Sequence, residues 1–422
     1  MVPTVTSSKR LIPVSLAVSQ LILHSRLSVF NTLTQRKEPF KSLREDEVRM
    51  FVCGPTVQDY MHLGHARTYI FYDVVARYLT HLGYKVHYVL NITDVDERIT
   101  DEAKKKGRSP EDLAEEHSRD FIDDMEKLKA DTVCRFEPVS AHIDRMIRQV
   151  SLLIEKGYAY VVGRWVYFDV STFPRFGKLS HLDQRELSLR PLELSLRKRN
   201  LLDFALWRPE TLIEGKWVSP WGVGSPGWHI QDVAVTSELL GPQYDIHGGA
   251  YELTYPHHEA EIAEGESLSG LTPFVRYWVH TRLVNMRGEK MSKSKGNVVT
   301  VRDALRTYSV EQLRVFLLGV HYRQDMDLKG LETKARRYSD MQKSAKKLQL
   351  LAGPRSLVEP DKEFSHTFQR AMDDDFNTPL ALRIIENSIS SALDSKSPSV
   401  ARRCITSLES AGKILGVDFG IG

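Results

Sequence analysis

The sequence predicts an α/β fold: a doubly wound parallel sheet interrupted by an insertion and followed by an α-helical bundle. Three observations carry that expectation. The 422 residues are 41% hydrophobic and 27% charged, an ordinary globular composition with enough chain for a large core plus an appended module. Between Val48 and Leu90 an apolar run, a Gly54-Pro55 turn, an apolar-periodic stretch and a β-branched run follow one another. Strand, glycine turn, helix, strand is the unit that opens a parallel sheet. From Leu331 onward every segment is helical in period, with a break at Gly353-Pro354.

In chain order, residues 1–37 carry five basic side chains (Lys9, Arg10, Arg26, Arg36, Lys37) and no acidic one. Leu11–Leu23 is apolar but broken by Pro13, Ser15, Ser19 and Gln20, too short and too polar to span a bilayer. A basic, serine-containing, acid-free start has the character of an organellar transit segment, and a disordered arm accounts for it equally well. Residues 1–28 are therefore set aside as an N-terminal extension. Val48–Val52 reads as a strand, His62-Leu63-Gly64-His65 leads into a helix over Tyr69–Leu82, and Gly83 separates that helix from a strand at Lys85–Leu90. Asp94–Lys129 is helical with a wet, acidic surface. Residues 140–225 read as an insertion, with strand character at Val161–Val170, an irregular basic stretch at Arg185–Asn200 and a Gly/Pro loop at Pro220–Pro226. Sheet character returns at Tyr244–Gly249 and Phe274–Val284. The expected domains are a catalytic sheet of residues 29–139 and 226–285, the insertion 140–225, a linking segment 286–330 and a helical bundle 331–422.

Charge and cysteine usage restrict the class. The net charge of +3 gives no general attraction for nucleic acid, so any such contact needs a local basic face. Residues 331–360 offer one: Lys334, Arg336, Arg337, Lys343, Lys346, Lys347 and Arg355 against Glu332, Asp340 and Glu359. Several share a helix face, which fits a phosphate backbone or a plain solvated surface. Cys53, Cys134 and Cys404 are far apart and form no CxxC pair, which argues against a disulfide framework and for a reducing compartment.

Two motifs carry chemistry. His62-Leu63-Gly64-His65 puts two imidazoles and the backbone N–H groups of a helix start around one small volume, where phosphate charge is stabilised. More than 200 residues later, Lys290-Met291-Ser292-Lys293-Ser294-Lys295-Gly296-Asn297 sets three lysines among small hydroxyls, as a loop folding over a pyrophosphate needs. Together they resemble the signature of class I aminoacyl-tRNA synthetases, which activate an amino acid with ATP on a Rossmann-type sheet. Phe51-Val52-Cys53-Gly54-Pro55-Thr56, Asn91-Ile92-Thr93-Asp94-Val95-Asp96, Gly227-Trp228-His229-Ile230, Asp245-Ile246-His247-Gly248-Gly249, Pro256-His257-His258-Glu259 and Asp373-Asp374-Asp375-Phe376-Asn377-Thr378-Pro379 narrow it further. From about Val29 to its end the chain resembles cysteinyl-tRNA synthetase.

The resemblance implies a zinc ion at the floor of the amino-acid pocket that takes the substrate thiolate directly, held by two Cys, a His and a Glu. Cys53, His257 and Glu261 match three of these ligands. At the fourth, where the family has an acidic residue and then cysteine, this chain reads Gln231-Asp232, so Asp232 is the candidate for a harder site. Zn–O bonds are about 2.0–2.2 Å against about 2.3 Å for Zn–S. Tyr251 and Glu252 replace a small residue and an aspartate, changes expected on the amino-acid side of the pocket. The resemblance further implies His62 and His65 at the phosphates, Lys290 and Lys293 at the departing pyrophosphate, and Gly64, Met291 and Asp245 at ATP, with Asp245 on the ribose. It places Thr93 and Trp228 in the amino-acid pocket, and magnesium accompanies ATP. The expected function is ATP-dependent ligation of cysteine to the acceptor end of tRNA(Cys), by a cytoplasmic monomer without membrane association. The chain ends at Gly422, where family members with a full anticodon module continue. A tRNA-independent ligase acylating an amine such as an amino-sugar and a non-catalytic paralogue are the competing readings.

Overall fold

The computed structural model describes residues 26–190, 197–209, 217–291, 296–354 and 358–421. The chain enters through a hairpin, β1 (Ser28–Asn31) and β2 (Arg36–Pro39). The folded body thus starts ahead of the expected boundary: Leu27 is buried and Ser28 bridges Asp374 in the C-terminal part. The rest of the expected targeting segment lies outside the described residues.

Next come β3 (Glu47–Val52), helix α1 (Leu63–His81), β4 (Lys85–Ile92), helices α2 (Glu97–Lys106) and α3 (Pro110–Lys127), and β5 (Arg135–Pro138). β3, β4 and β5 pair in parallel. A strand covered on both faces must be apolar at successive positions, because alternate side chains enter different cores. Val48, Met50 and Val52 pack with α1, whereas Phe51 and Cys53 belong to a second core on the opposite face. That second core receives Ile143, Met146, Val150 and Leu153 of α4 (Ile143–Glu155). Helix α4, expected in the insertion, is therefore a cover of the central sheet.

The insertion's own sheet begins at β6 (Ala159–Val162) and continues through β7 (Trp165–Phe168), β8 (Phe204–Pro209), β9 (Trp217–Ser219) and β10 (Gly222–Pro226). It is antiparallel, in the order β6-β7-β8-β10-β9. β10 occupies the stretch expected as a Gly/Pro loop. Its glycines serve close approach: a Cβ on Gly224 would stand 2.2 Å from the Arg208 carbonyl oxygen. Of the basic stretch at 185–200, residues 191–196 lie outside the described residues.

The chain then returns through α5 (Trp228–Leu239), β11 (Tyr244–Ala250), α6 (His257–Ser269) and β12 (Val275–Thr281). β11 pairs in parallel with β3 and with β12, completing the order β12-β11-β3-β4-β5. A small sheet of β13 (Val284–Met286), β14 (Glu289–Lys290) and β15 (Met326–Asp327) brackets α7 (Val301–Leu305) and α8 (Val310–Leu318). Helices α9 (Leu331–Ala352), α10 (Lys362–Asp373), α11 (Thr378–Asp394) and α12 (Pro398–Leu415) complete the chain and share one continuous core with α1.

Arg314 of α8 fastens the helical part to the catalytic sheet. It is fully buried and donates to Asp73 of α1 at 2.6 Å, to the carbonyls of Leu128 and Lys129 after α3, and to the Leu415 carbonyl at the end of α12. Burial pulls its pKa down, and Asp73 opposes that pull. Removing one partner of a buried pair leaves the other charge stranded. Arg314→Met is expected to lower unfolding free energy by about 3 kcal/mol, read from chemical denaturation of the purified protein.

Candidate active site

The carboxyl ends of β3 and β11 and the start of α1 open onto one cleft of about 350 Å³, the crevice where open parallel sheets bind ligands. His62 caps α1: its Nδ1 accepts from the Gly64 and His65 amides at 3.1 and 3.4 Å. The His62 and His65 rings stack with centroids 3.8 Å apart. A Cβ on Gly64 would lie 2.8 Å from the His62 ring, so a larger residue there would push that ring aside. Met291 is buried against this turn and lines the cleft. Backbone bonds tie the second motif's far end to the first: Leu63 N–H donates to Val299 O at 3.0 Å and Val301 N–H to Met61 O at 2.9 Å. Arg67 of α1 donates to the carbonyls of Arg282, Leu283 and His321, fixing the wall opposite. Lys293 lies outside the described residues, and Lys290 is described only as backbone in β14.

At the inner end of the cleft, four expected metal ligands come together from three elements. The alternation of β3 sends Cys53 toward α5 and α6; α5 supplies Asp232, and α6 supplies His257 and Glu261 one turn apart. All four are buried. His257 Nε2 stands 3.6 Å from Cys53 Sγ, 3.2 Å from Asp232 Oδ2 and 3.1 Å from Glu261 Oε1. One imidazole nitrogen cannot satisfy three acceptors, and neither Glu261 oxygen receives a hydrogen bond. Donors about 2.0–2.3 Å from a tetrahedral zinc ion stand roughly 3.3–3.8 Å apart, close to the spacing seen. The residues present therefore fit a zinc ion.

Electrostatics agree with this fit. Burial, and then the Asp232 and Glu261 carboxylates, push the Cys53 thiol well above its usual pKa. Burial and Asp232 push Glu261 up as well. Without a cation the Cys53 and Glu261 protons are held on; a divalent cation removes that penalty. His257 Nδ1 is 2.9 Å from Nδ1 of His229, whose pKa burial pushes far down. With the His257 proton on Nδ1, Nε2 presents its lone pair to the cluster. Trp228 stacks on His257 at 4.1 Å and 10° and lines the cleft, with the Arg98 guanidinium 5.2 Å over its ring.

Behind this cluster lies a layer of neutral histidines that the motif reading missed. His258 Nδ1 is 2.8 Å from His280 Nε2, and His280 Nδ1 is 2.8 Å from Thr32 Oγ1. His247 Nδ1 meets the Tyr244 hydroxyl at 2.7 Å. Burial lowers all three, His280 to about 3.

Two expectations need correction. Asp245 does not reach the cleft. It sits at the amino end of β11, fully buried, and its carboxylate accepts from the Leu43 and Arg49 amides at 2.5 and 2.8 Å beside the Arg49 guanidinium. It is a sheet-bottom clasp with no path to a ribose. Tyr251 is 37% exposed and lies under the Arg282 guanidinium at 3.7 Å, so it does not narrow the amino-acid end; Glu252 does line the cleft. Thr93 is buried directly beneath the cleft lining: its amide donates to the Pro55 carbonyl at 3.1 Å, and its Oγ1 stands 3.4 Å from Asn91 Nδ2. Asp245→Asn is expected to lower stability by about 1.5–3 kcal/mol through its charge-assisted bonds. The KM for ATP should stay within twofold of the parent in pyrophosphate exchange; a tenfold rise would return Asp245 to the nucleotide.

Residues 39–337 match the family of tRNA synthetases class I (C) catalytic domains, and residues 367–420 match the DALR domain. A cysteine–tRNA ligase of Thermococcus onnurineus is 42% identical over 411 residues, covering 93% of this chain and 86% of the relative. That of Pyrococcus horikoshii is 43% identical with the same coverage. That of Thermoplasma acidophilum is 47% identical over 311 residues, 73% of this chain and 69% of the relative. Among solved structures, a Mycobacterium tuberculosis methionyl-tRNA synthetase with methionyl-adenylate superposes with a TM-score of 0.62 at 16% identity, covering 87% of this chain and 90% of that one. An Agrobacterium radiobacter LeuRS–tRNA–LeuAMS complex gives 0.66 at 11% identity, covering 90% and 84%. These two share the fold. With the sequence matches spanning most of its length and the cleft built as described, the chain belongs to the cysteine–tRNA ligase family of class I tRNA synthetases.

Proposed function

We propose that this chain activates cysteine with ATP, releasing pyrophosphate, and passes the cysteinyl group from the adenylate to the 3′ end of tRNA(Cys). The observation that carries this reading is the convergence of Cys53, Asp232, His257 and Glu261 behind Trp228, with Cys53 and Trp228 lining the same cleft as the His62–His65 turn. Zinc held by those four residues supplies a thiophilic centre, which prefers a thiolate to the hydroxyl of serine.

The chain's own groups account for the rest. The cysteine carboxylate oxygen attacks the α-phosphorus of ATP, and the bond to pyrophosphate breaks. The His62 and His65 rings, with His62 held by the amides at the start of α1, face the phosphate oxygens as negative charge grows there. Lys290 and Lys293 take the departing pyrophosphate, and magnesium accompanies the nucleotide. A ribose hydroxyl of the terminal adenosine then attacks the adenylate carbonyl, and AMP leaves. Trp228 screens the inner end from water, and Arg98 holds the indole in place by stacking.

For the RNA, support comes from α9. Arg337 is spent on Glu386 and Arg336 on Glu332. That leaves an exposed face carrying Lys343, Lys346 and Lys347, of which Lys346 and Lys347 enter no ion pair among the described residues. The basic face is thus narrower than composition alone implied. No helix among the described residues is long and apolar enough to cross a membrane.

Two measurements test the proposal. The purified chain is expected to carry one zinc per molecule and to exchange pyrophosphate with cysteine at least 100-fold faster than with serine, about 3 kcal/mol of discrimination. Zinc-free protein with undiminished preference would refute it. The K343E/K346E/K347E variant should raise the KM for tRNA at least tenfold while cysteine-dependent pyrophosphate exchange stays intact.

A further inference from the structure

Each oxygen of Asp232 has a different neighbour. Oδ2 faces the cluster at 3.2 Å from His257 Nε2, and Oδ1 accepts a 2.7 Å hydrogen bond from Asn91 Nδ2 at the carboxyl end of β4. The Asn91 amide is itself fixed, because its Oδ1 accepts from the Gly54 amide at 2.6 Å. Gly54 follows Cys53, and a Cβ there would stand 1.6 Å from the Asn91 carbonyl oxygen, so the ends of β3 and β4 are in contact. One fully buried side chain thus spans the two elements that carry Cys53 and Asp232. Asn91 is fully buried and, like Asp232, does not line the cleft; its side-chain amide is engaged by Asp232 and the Gly54 amide.

A carboxylate has a freedom that a thiolate lacks: it binds an ion through one oxygen or through both. An amide N–H directed at Oδ1 removes that choice. We infer that Asn91 is a positioning residue, which makes Asp232 a one-oxygen ligand and so leaves room on the cleft side for a substrate sulfur. The inference rests on the zinc reading proposed above. Residues that orient a metal ligand from behind cost about 10–100-fold in metal affinity when removed.

The test compares the parent chain, N91A, D232C and N91A/D232C by zinc affinity, from competition with a chromophoric chelator, and by the visible spectrum of the cobalt-substituted forms. N91A is expected to weaken zinc binding roughly 10–100-fold. Its cobalt form should lose visible d–d intensity as the second oxygen enters and the tetrahedron opens to five ligands. In the D232C background, where the ligand has no second donor atom, the same asparagine change should alter zinc affinity less than threefold. Equal losses in both backgrounds, or an unchanged affinity in N91A, would overturn the inference and leave the zinc reading standing. A parent chain that binds no zinc would overturn both, and that result is visible before any variant is made. Asn91→Leu, which fills the space, takes the place of N91A if the alanine form does not fold.

Discussion

A strand buried on both faces has to send its side chains alternately to two cores, and the site depends on how β3 does so. Val48, Met50 and Val52 commit one face to α1; Phe51 and Cys53 then point the other way, toward α5 and α6. A shift of one residue would exchange the two sets, taking the thiol away from His257. Cys53, at the end of the same strand, and the turn that His62 caps line one cleft, so one segment sets both its Cys53 end and its His62–His65 end.

Around that segment the protein concentrates groups that water would otherwise hold. Cys53, Asp232 and Glu261 are acids out of solvent, and beyond them His229, His247, His258 and His280 are kept neutral by burial. Neutral imidazoles can pass one hydrogen bond along a chain without adding charge. The layer stiffens these acids from behind without adding charge, while Arg98, over Trp228, supplies a positive charge that favours the Cys53 thiolate. Histidine density behind the site and acid density within it are two parts of one arrangement.

Much of this was legible in the sequence. The opening strand–helix–strand unit and the HxGH turn followed from local patterns; Cys53, His257 and Glu261 followed from the family resemblance, and Asp232 from a break in one of its blocks. What escaped notice depends on contacts distant in sequence. Asp245 sits beside motif residues in the chain, yet the direction of β11 carries it to the opposite end of the sheet from Ala250. Helix α4 looked like part of the insertion because nothing local says which face its apolar stripe will cover. The glycines of Pro220–Pro226 suggested a loop, since the Arg208 carbonyl that Gly224 must clear belongs to β8, earlier in the chain. His280 carries no motif, and its place among the other histidines exists only once β12 lies against β11.

The clasp at Arg314 has a consequence for scale. Helix α1 starts at the cleft and runs 19 residues, about 28 Å at the usual rise, and Arg314 bolts its body to the far end of α12. The helix is a strut of set length between a chemical end and a carrying end. Because Arg314 grips α1 at Asp73, ten residues or about 15 Å from its cleft end, any shift of the helical part would be passed straight to the His62–His65 turn.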